Sequence, residues 1–125
     1  MKTTVISTKE APAAIGPYSQ AVKTDSLVFC SGQLGINPET GEMVEGVKAQ
    51  AEMVMKNLDA VARASGTSLD KAVKTTIFLS DMANFAIVNE VYSSFFKGDK
   101  PARSTFAVAG LPKGGLVEIE AVFAL

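Results

Sequence analysis

Two stretches of the chain place apolar residues at helical spacing, and the stretches around them alternate or break. Between Val47 and Ser65 the apolar residues Val47, Ala51, Val54, Leu58, Val61 and Ala62 share one face. Lys48, Glu52, Lys56, Asp59 and Arg63 take the other, which predicts an amphipathic helix stopped at Gly66. Phe85, Val88, Val91, Tyr92 and Phe95 predict a second helix, with Asp81 or Asn84 as its cap. "LVFCSGQLG" (27–35) and the β-branched "AVKTTIFLS" (72–80) read as core strands. "RSTFAVA" (103–109) and "LVEIEAVFAL" (116–125) read as two more, joined by "GLPKGG" as a hairpin-type loop. Short edge strands are expected at Val5–Ile6 and Ser19–Lys23, separated by the helix-breaking "APAAIGP".

The order ββ(β)αβαββ predicts an α/β (α+β) fold with a mixed sheet of about six strands. Right-handed crossovers place both helices on one face of it. The other face is then left without a cover, and a chain with two helices has only another copy of itself to offer. At 125 residues the sequence fits one domain, 1–125, without tandem repeats or linkers.

Composition narrows the function. Hydrophobic residues make up 47% and charged residues 20%, with a mean hydropathy of +0.22, an apolar surface for so small a chain. A net charge of −1 supplies no field for nucleic-acid phosphates or anionic lipid, so neither is expected as a partner. The chain has no His and one Cys, which argues against a metal site and against His-based catalysis. One Cys, no signal-like start and no apolar run of about 20 residues point to the cytoplasm.

Four places carry candidate chemistry. Ten of the twelve basic residues are Lys, so Arg103, at the mouth of a strand, is a choice of the planar fork that fits a carboxylate, or else a solvated charge. Glu118 and Glu120 alternate with Val117, Ile119 and Ala121 and project from one side of the last strand, about 7 Å apart. If that strand pairs with Arg103's strand through the hairpin, Arg and Glu share a face; the plainer reading is two glutamates on a solvated surface. Tyr18 follows a Gly-Pro turn, and Ser31 and Gly32 end a core strand, where hydroxyls and freed N–H groups could hold an anion or serve as turn chemistry. Asn89 is a helix amide one residue from core-facing Val88. Cys30 has no His or basic neighbour in sequence to activate it and reads as a small buried hydrophobe.

Together "GPYSQA", "SGQLGINPETGE", "VKTTIFLSDMANFAIVNEVYSSFF" and "PARSTFAVAGLPKGGLVEIEA" resemble the Rid family of reactive intermediate deaminases, also called the YjgF family, and within it the RidA branch. The most specific part is Pro-Ala-Arg-Ser at 101–104, then Leu-Pro, then Val-Glu-Ile at 117–119. The resemblance implies a fold similar to the trimeric type of chorismate mutase: a homotrimer, its sheets closed into a barrel, helices outside, sites in the clefts between subunits. By motif position Arg103 matches the carboxylate-binding arginine, Tyr18, Ser31, Gly32 and Asn89 match lining residues, and Glu118 matches the acid of the final strand. Many relatives carry Cys two residues after the arginine. Here Thr105 stands there among the substrate-binding positions, so a thiol at that spot is not required.

The activity implied is cofactor-free hydrolysis of small imine and enamine carboxylates, released by pyridoxal-phosphate-dependent dehydratases, to 2-oxo acids and ammonia. Arg103 would clamp the carboxylate, Glu118 would be the general acid/base, and Tyr18 and Ser31 would position the water or the nitrogen. Burial would raise the pKa of Glu118 and a nearby Arg103 would lower it. The competing expectation is a non-catalytic carboxylate-binding, regulatory or chaperone-like trimer.

Overall fold

A computed structural model describes residues 1–125. Its elements are β1 (Thr4–Ile6), β2 (Ala21–Lys23), β3 (Leu27–Leu34), α1 (Val47–Ala64), β4 (Ala72–Leu79), α2 (Phe85–Ser94), β5 (Ala102–Ala107) and β6 (Val117–Ala124). Both helices form where the apolar periodicity places them. α1 closes on Ser65, whose N–H donates to the carbonyls of Val61 and Ala62, and Gly66 at φ 93° provides the left-handed turn that follows. Asp81 is a cap, but of the short 3₁₀ turn Met82–Asn84, through a 2.8 Å bond accepted from the Ala83 N–H. Asn84 makes no side-chain cap bond at the start of α2.

The six strands form one mixed sheet in the order β1-β2-β3-β6-β4-β5. The hairpin expected between β5 and β6 does not exist. β5 runs parallel to β4, reached through α2, while β6 enters antiparallel between β3 and β4. The burial of each strand explains the choice. On β6 the inward residues Val117, Ile119, Ala121 and Phe123 are all buried, the mark of a central strand. β5 has no buried residue and lies at the edge.

Parity along the strands fixes two faces. Thr75, Ile77 and Leu79 of β4 join Val28 and Cys30 of β3 and the inward residues of β6 beneath α1 and α2. The opposite face carries Phe29, Lys74, Thr76, Phe78, Ser104, Phe106, Glu118 and Glu120, with Phe29 and Phe106 about half exposed. Phe78 and Phe106 meet edge to face at 5.5 Å. No helix covers this side, and no helix of the protein is long and apolar enough to cross a membrane.

A β-bulge interrupts β3. Cys30 faces Ala121 and Gln33 faces Ile119, so three steps on β3 match two on β6. The extra residue turns Ser31 and Gly32 toward the open face and returns Gln33 to the core.

Candidate functional site

The bulge builds one cluster of candidate residues. Ser31 is fixed by its Oγ donating 2.6 Å to the carbonyl of Ser19 and its N–H donating 2.9 Å to that of Gln20. Gln20 is buried, and its amide donates to the carbonyls of Thr8 and Pro12 while its Oε1 accepts from the Thr8 N–H. These bonds staple the irregular segment that carries Tyr18, whose ring remains more than half exposed. Gly32 makes room for Glu118: a Cβ there would lie 2.9 Å from Cδ and 3.1 Å from Oε2 of that side chain. The Glu118 carboxyl therefore rests against bare backbone. Tyr18, Ser31, Gly32 and Glu118 line a cleft of ≈ 730 Å³ that also takes Ile15 and Lys113 into its wall.

Burial pushes the Glu118 carboxyl above its ordinary value, and the neighbouring carboxylate of Glu120 pushes the same way. Of the opposing influences weighed from the sequence, burial is the one present within the chain; Arg103 lies elsewhere.

Arg103 anchors a second cluster. It stands on β5 opposite Thr75, on the helix-covered face, and Nη1 donates 2.7 Å to Oδ1 of Asn89. The guanidinium lies 5.1 Å from the ring centre of Tyr92 and 5.7 Å from that of Phe85, so two aromatic faces support its charge. Tyr92 is itself pinned by a 2.6 Å hydrogen bond between its hydroxyl and that of Thr75. Arg103, Asn89, Tyr92, Ser93, Lys100 and Pro101 line a second cleft of ≈ 370 Å³. Asn89 engages one of the five guanidinium N–H groups, and the side chain makes no other hydrogen bond.

The expected pairing of Arg103 with Glu118 on one face therefore fails within a chain. β4 separates their strands, Glu118 registers with Phe78 three residues from Thr75, and the two side chains emerge on opposite faces. The structure brings together Tyr18, Ser31, Gly32 and Glu118, and separately Arg103 and Asn89. Thr105 lies on the Arg103 side of β5 and lines neither cleft; its hydroxyl oxygen is buried without a partner. Sequence reasoning missed the aromatic seat of the guanidinium, although Phe85, Asn89 and Tyr92 recur at i, i+4 and i+7 on α2. It also missed Gln20, whose role shows only in the loop it ties. No group of three His, Cys, Asp or Glu side chains is arranged to hold a metal ion.

Residues 8–125 match the family model described as Endoribonuclease L-PSP. The chain is 50% identical over 119 residues to the mouse 2-iminobutanoate/2-iminopropanoate deaminase, covering 94% of this chain and 88% of that one. It is 51% identical to the chloroplastic Reactive Intermediate Deaminase A of Arabidopsis thaliana, covering 100% of this chain and 67% of that one. Among solved structures, RidA from an Antarctic Psychrobacter superposes with a TM-score of 0.96 at 49% identity, covering 98% of this chain and 99% of that one. E. coli TdcF with bound serine gives 0.94 at 42%, covering 98% of both.

Proposed function

Because the chain belongs to the Endoribonuclease L-PSP family, which includes the Rid proteins, we propose that it is a 2-iminobutanoate/2-iminopropanoate deaminase whose site is assembled from two copies of the chain. The observation that carries this reading is the seat of Arg103: a guanidinium held by one amide and two rings, with its remaining donors turned to a cleft rather than to an acid of its own chain. A planar carboxylate is the partner that fits those donors.

The cleft of Glu118 supplies the chemistry. The substrate is a carbon doubly bonded to nitrogen beside a carboxylate, and water must add to that carbon. Glu118, as carboxylate, takes a proton from the water as its oxygen bonds to C2. The same group returns that proton to the nitrogen, then carries the proton of the new hydroxyl from oxygen to nitrogen as the C–O bond becomes a carbonyl and the C–N bond breaks, so that a 2-oxo acid and ammonia leave. A base whose pKa stands above the usual carboxylate range is better matched to this task near neutral pH. Tyr18 and Ser31 hold the water or the nitrogen. The electrophile is present in the substrate itself, so the step requires no cofactor.

Arg103 and Glu118 emerge on opposite faces of one sheet, so a second copy is needed to complete the site. The uncovered face, with Phe29 and Phe106 half exposed on it, gives that copy a surface on which to sit. A homotrimer that closes three sheets on one another satisfies both requirements and forms three equivalent sites.

A second reading, a receptor for small carboxylates without catalysis, draws on the serine bound to E. coli TdcF. The carboxylate of Glu118 weighs against it, because a receptor for an anion gains nothing from a second negative group. The deciding experiment couples the protein to a serine or threonine dehydratase and follows 2-oxo acid release against semicarbazide, which traps the imine. Acceleration by the wild type that is lost in Arg103→Ala supports deamination. A folded protein that gives no acceleration supports the receptor.

A further inference from the structure

Glu120 is not among the residues that the proposed reaction uses. It lies two residues beyond Glu118 on β6 and registers with Thr76, where Glu118 registers with Phe78. Both side chains leave the same face, about 7 Å apart along the pleat. They open on adjacent clefts: Glu118 on the ≈ 730 Å³ cleft of Tyr18, and Glu120 on one of ≈ 370 Å³ with Lys74, Thr76 and Phe29. Ser31 lines both. Glu120 makes no hydrogen bond or ion pair and is exposed, so it contributes nothing evident to folding.

We infer that Glu120 is a positioning residue of the reaction, a fixed negative charge one pleat from Glu118 that makes Glu118 a stronger base. The inference rests on the deaminase reading of the site. The spacing of the two residues along β6 is set within a single strand. A like charge on the same face disfavours the ionised form of the partly buried Glu118. The direction of the Glu118 pKa agrees, with burial first and Glu120 second.

The other charges facing the pair are few. Lys74 on β4 donates to the hydroxyl of Ser104 at 3.0 Å, and Lys113 reaches the Glu118 cleft from the turn before β6. Tyr18 faces the same cleft from its loop. Lys23 on β2 points to the helix side, bonded to the carbonyl of Ser65. In the assembled site the Arg103 of a second copy is directed to the substrate carboxylate. No cation on β6 itself neutralises Glu120.

The test is a carbon-13 NMR titration of the Glu118 carboxyl in the protein without substrate, assigned with Glu118→Gln, for wild type, Glu120→Gln and Glu120→Asp. Glu120→Gln should move the Glu118 midpoint to lower pH, and Glu120→Asp, which keeps the charge, should restore it toward wild type. The acid limb of kcat/KM should follow in the same direction. An unmoved midpoint in Glu120→Gln overturns the inference, as does an equal move in both variants, which would make packing the cause. A midpoint that moves without the rate limb removes Glu120 from the reaction. Wild-type protein without deaminase activity would refute the functional reading, while the titration would still decide whether the two carboxylates are coupled.

Discussion

A single methyl group at Gly32 provides a test of where the Glu118 carboxyl must sit. In Gly32→Ala the added Cβ would lie 2.9 Å from Cδ, 3.0 Å from Cγ and 3.1 Å from Oε2 of Glu118. Favourable carbon–carbon separations are about 3.5–4.0 Å, so the carboxyl must withdraw by about 0.5–1 Å. The atoms that must move belong to the end of a flexible side chain, and the backbone around Gly32 is not in the left-handed region. The conformational cost is therefore that of an off-rotamer side chain, about 0.5–1.5 kcal/mol. At roughly 4 °C per kcal/mol for a domain of this size, Tm should fall by no more than about 6 °C. Catalysis is less tolerant: a displacement of about 1 Å in a reacting group costs on the order of 100-fold. The expected variant folds, binds carboxylate through Arg103, and loses about two powers of ten in kcat/KM in the coupled oxo-acid assay. A loss of about threefold or less, within the scatter of such arguments, would show that Glu118 need not occupy this position. A collapse of Tm by more than about 15 °C would show that Gly32 serves the fold rather than the site.

The remaining predictions cover the other half-site, the acid limb and the core. Arg103→Ala removes a two-bond clamp at about 1.5–3 kcal/mol per charged hydrogen bond, so kcat/KM should fall by roughly two to four powers of ten; steady-state kinetics would refute this with a loss of tenfold or less. The rate limb assigned to Glu118 should fall as pH decreases through a value above the usual carboxylate range, and Glu118→Gln should abolish it along with activity. Tyr92→Phe leaves the buried Thr75 hydroxyl unpaired, at a cost of about 1–3 kcal/mol by urea denaturation. Cys30 is buried and its thiol is pushed from 9.0 to about 12. Its contribution to stability is fully present below pH 9 and is lost as pH rises toward 12, because the unfolded thiol ionises first. Cys30→Val should flatten that alkaline slope in chemical denaturation.

Much of this was legible in the sequence, and its limits follow from what local patterns contain. The helices came from spacing alone, because an amphipathic stripe such as Val54, Leu58 and Val61 must be buried whatever surrounds it. The alternation of Val117, Glu118, Ile119 and Glu120 assigned the faces of β6 correctly. Strand order was another matter. "GLPKGG" looks like a hairpin, yet a short loop can also carry the chain past a neighbouring strand, and here Lys113 at φ 56° and Gly114 at φ 67° form an irregular turn before β6. The clue was composition: Arg103, Ser104 and Thr105 suit an edge, whereas β6 reads as a centre. The motif resemblance offered Tyr18, Ser31, Gly32, Asn89, Arg103, Thr105 and Glu118 as candidates. Their separation into two groups, with Glu118 and Arg103 on opposite faces of the sheet, follows from strand order and not from the motif. Periodicity carries no information about which side of a sheet a distant strand joins.

That division makes complementation the most direct test. Arg103→Ala and Glu118→Gln each disable every site in a pure assembly. If the two halves come from different copies, unfolding the variants together and refolding an equal mixture should restore activity to about a quarter of wild type, since a neighbour contributes the intact partner residue half the time on each side. Wild-type protein taken through the same cycle sets the scale. A mixture as inactive as its parents, in assemblies shown by native mass spectrometry to be mixed, would place Arg103 and Glu118 in one chain's site or in none, and would contradict the account.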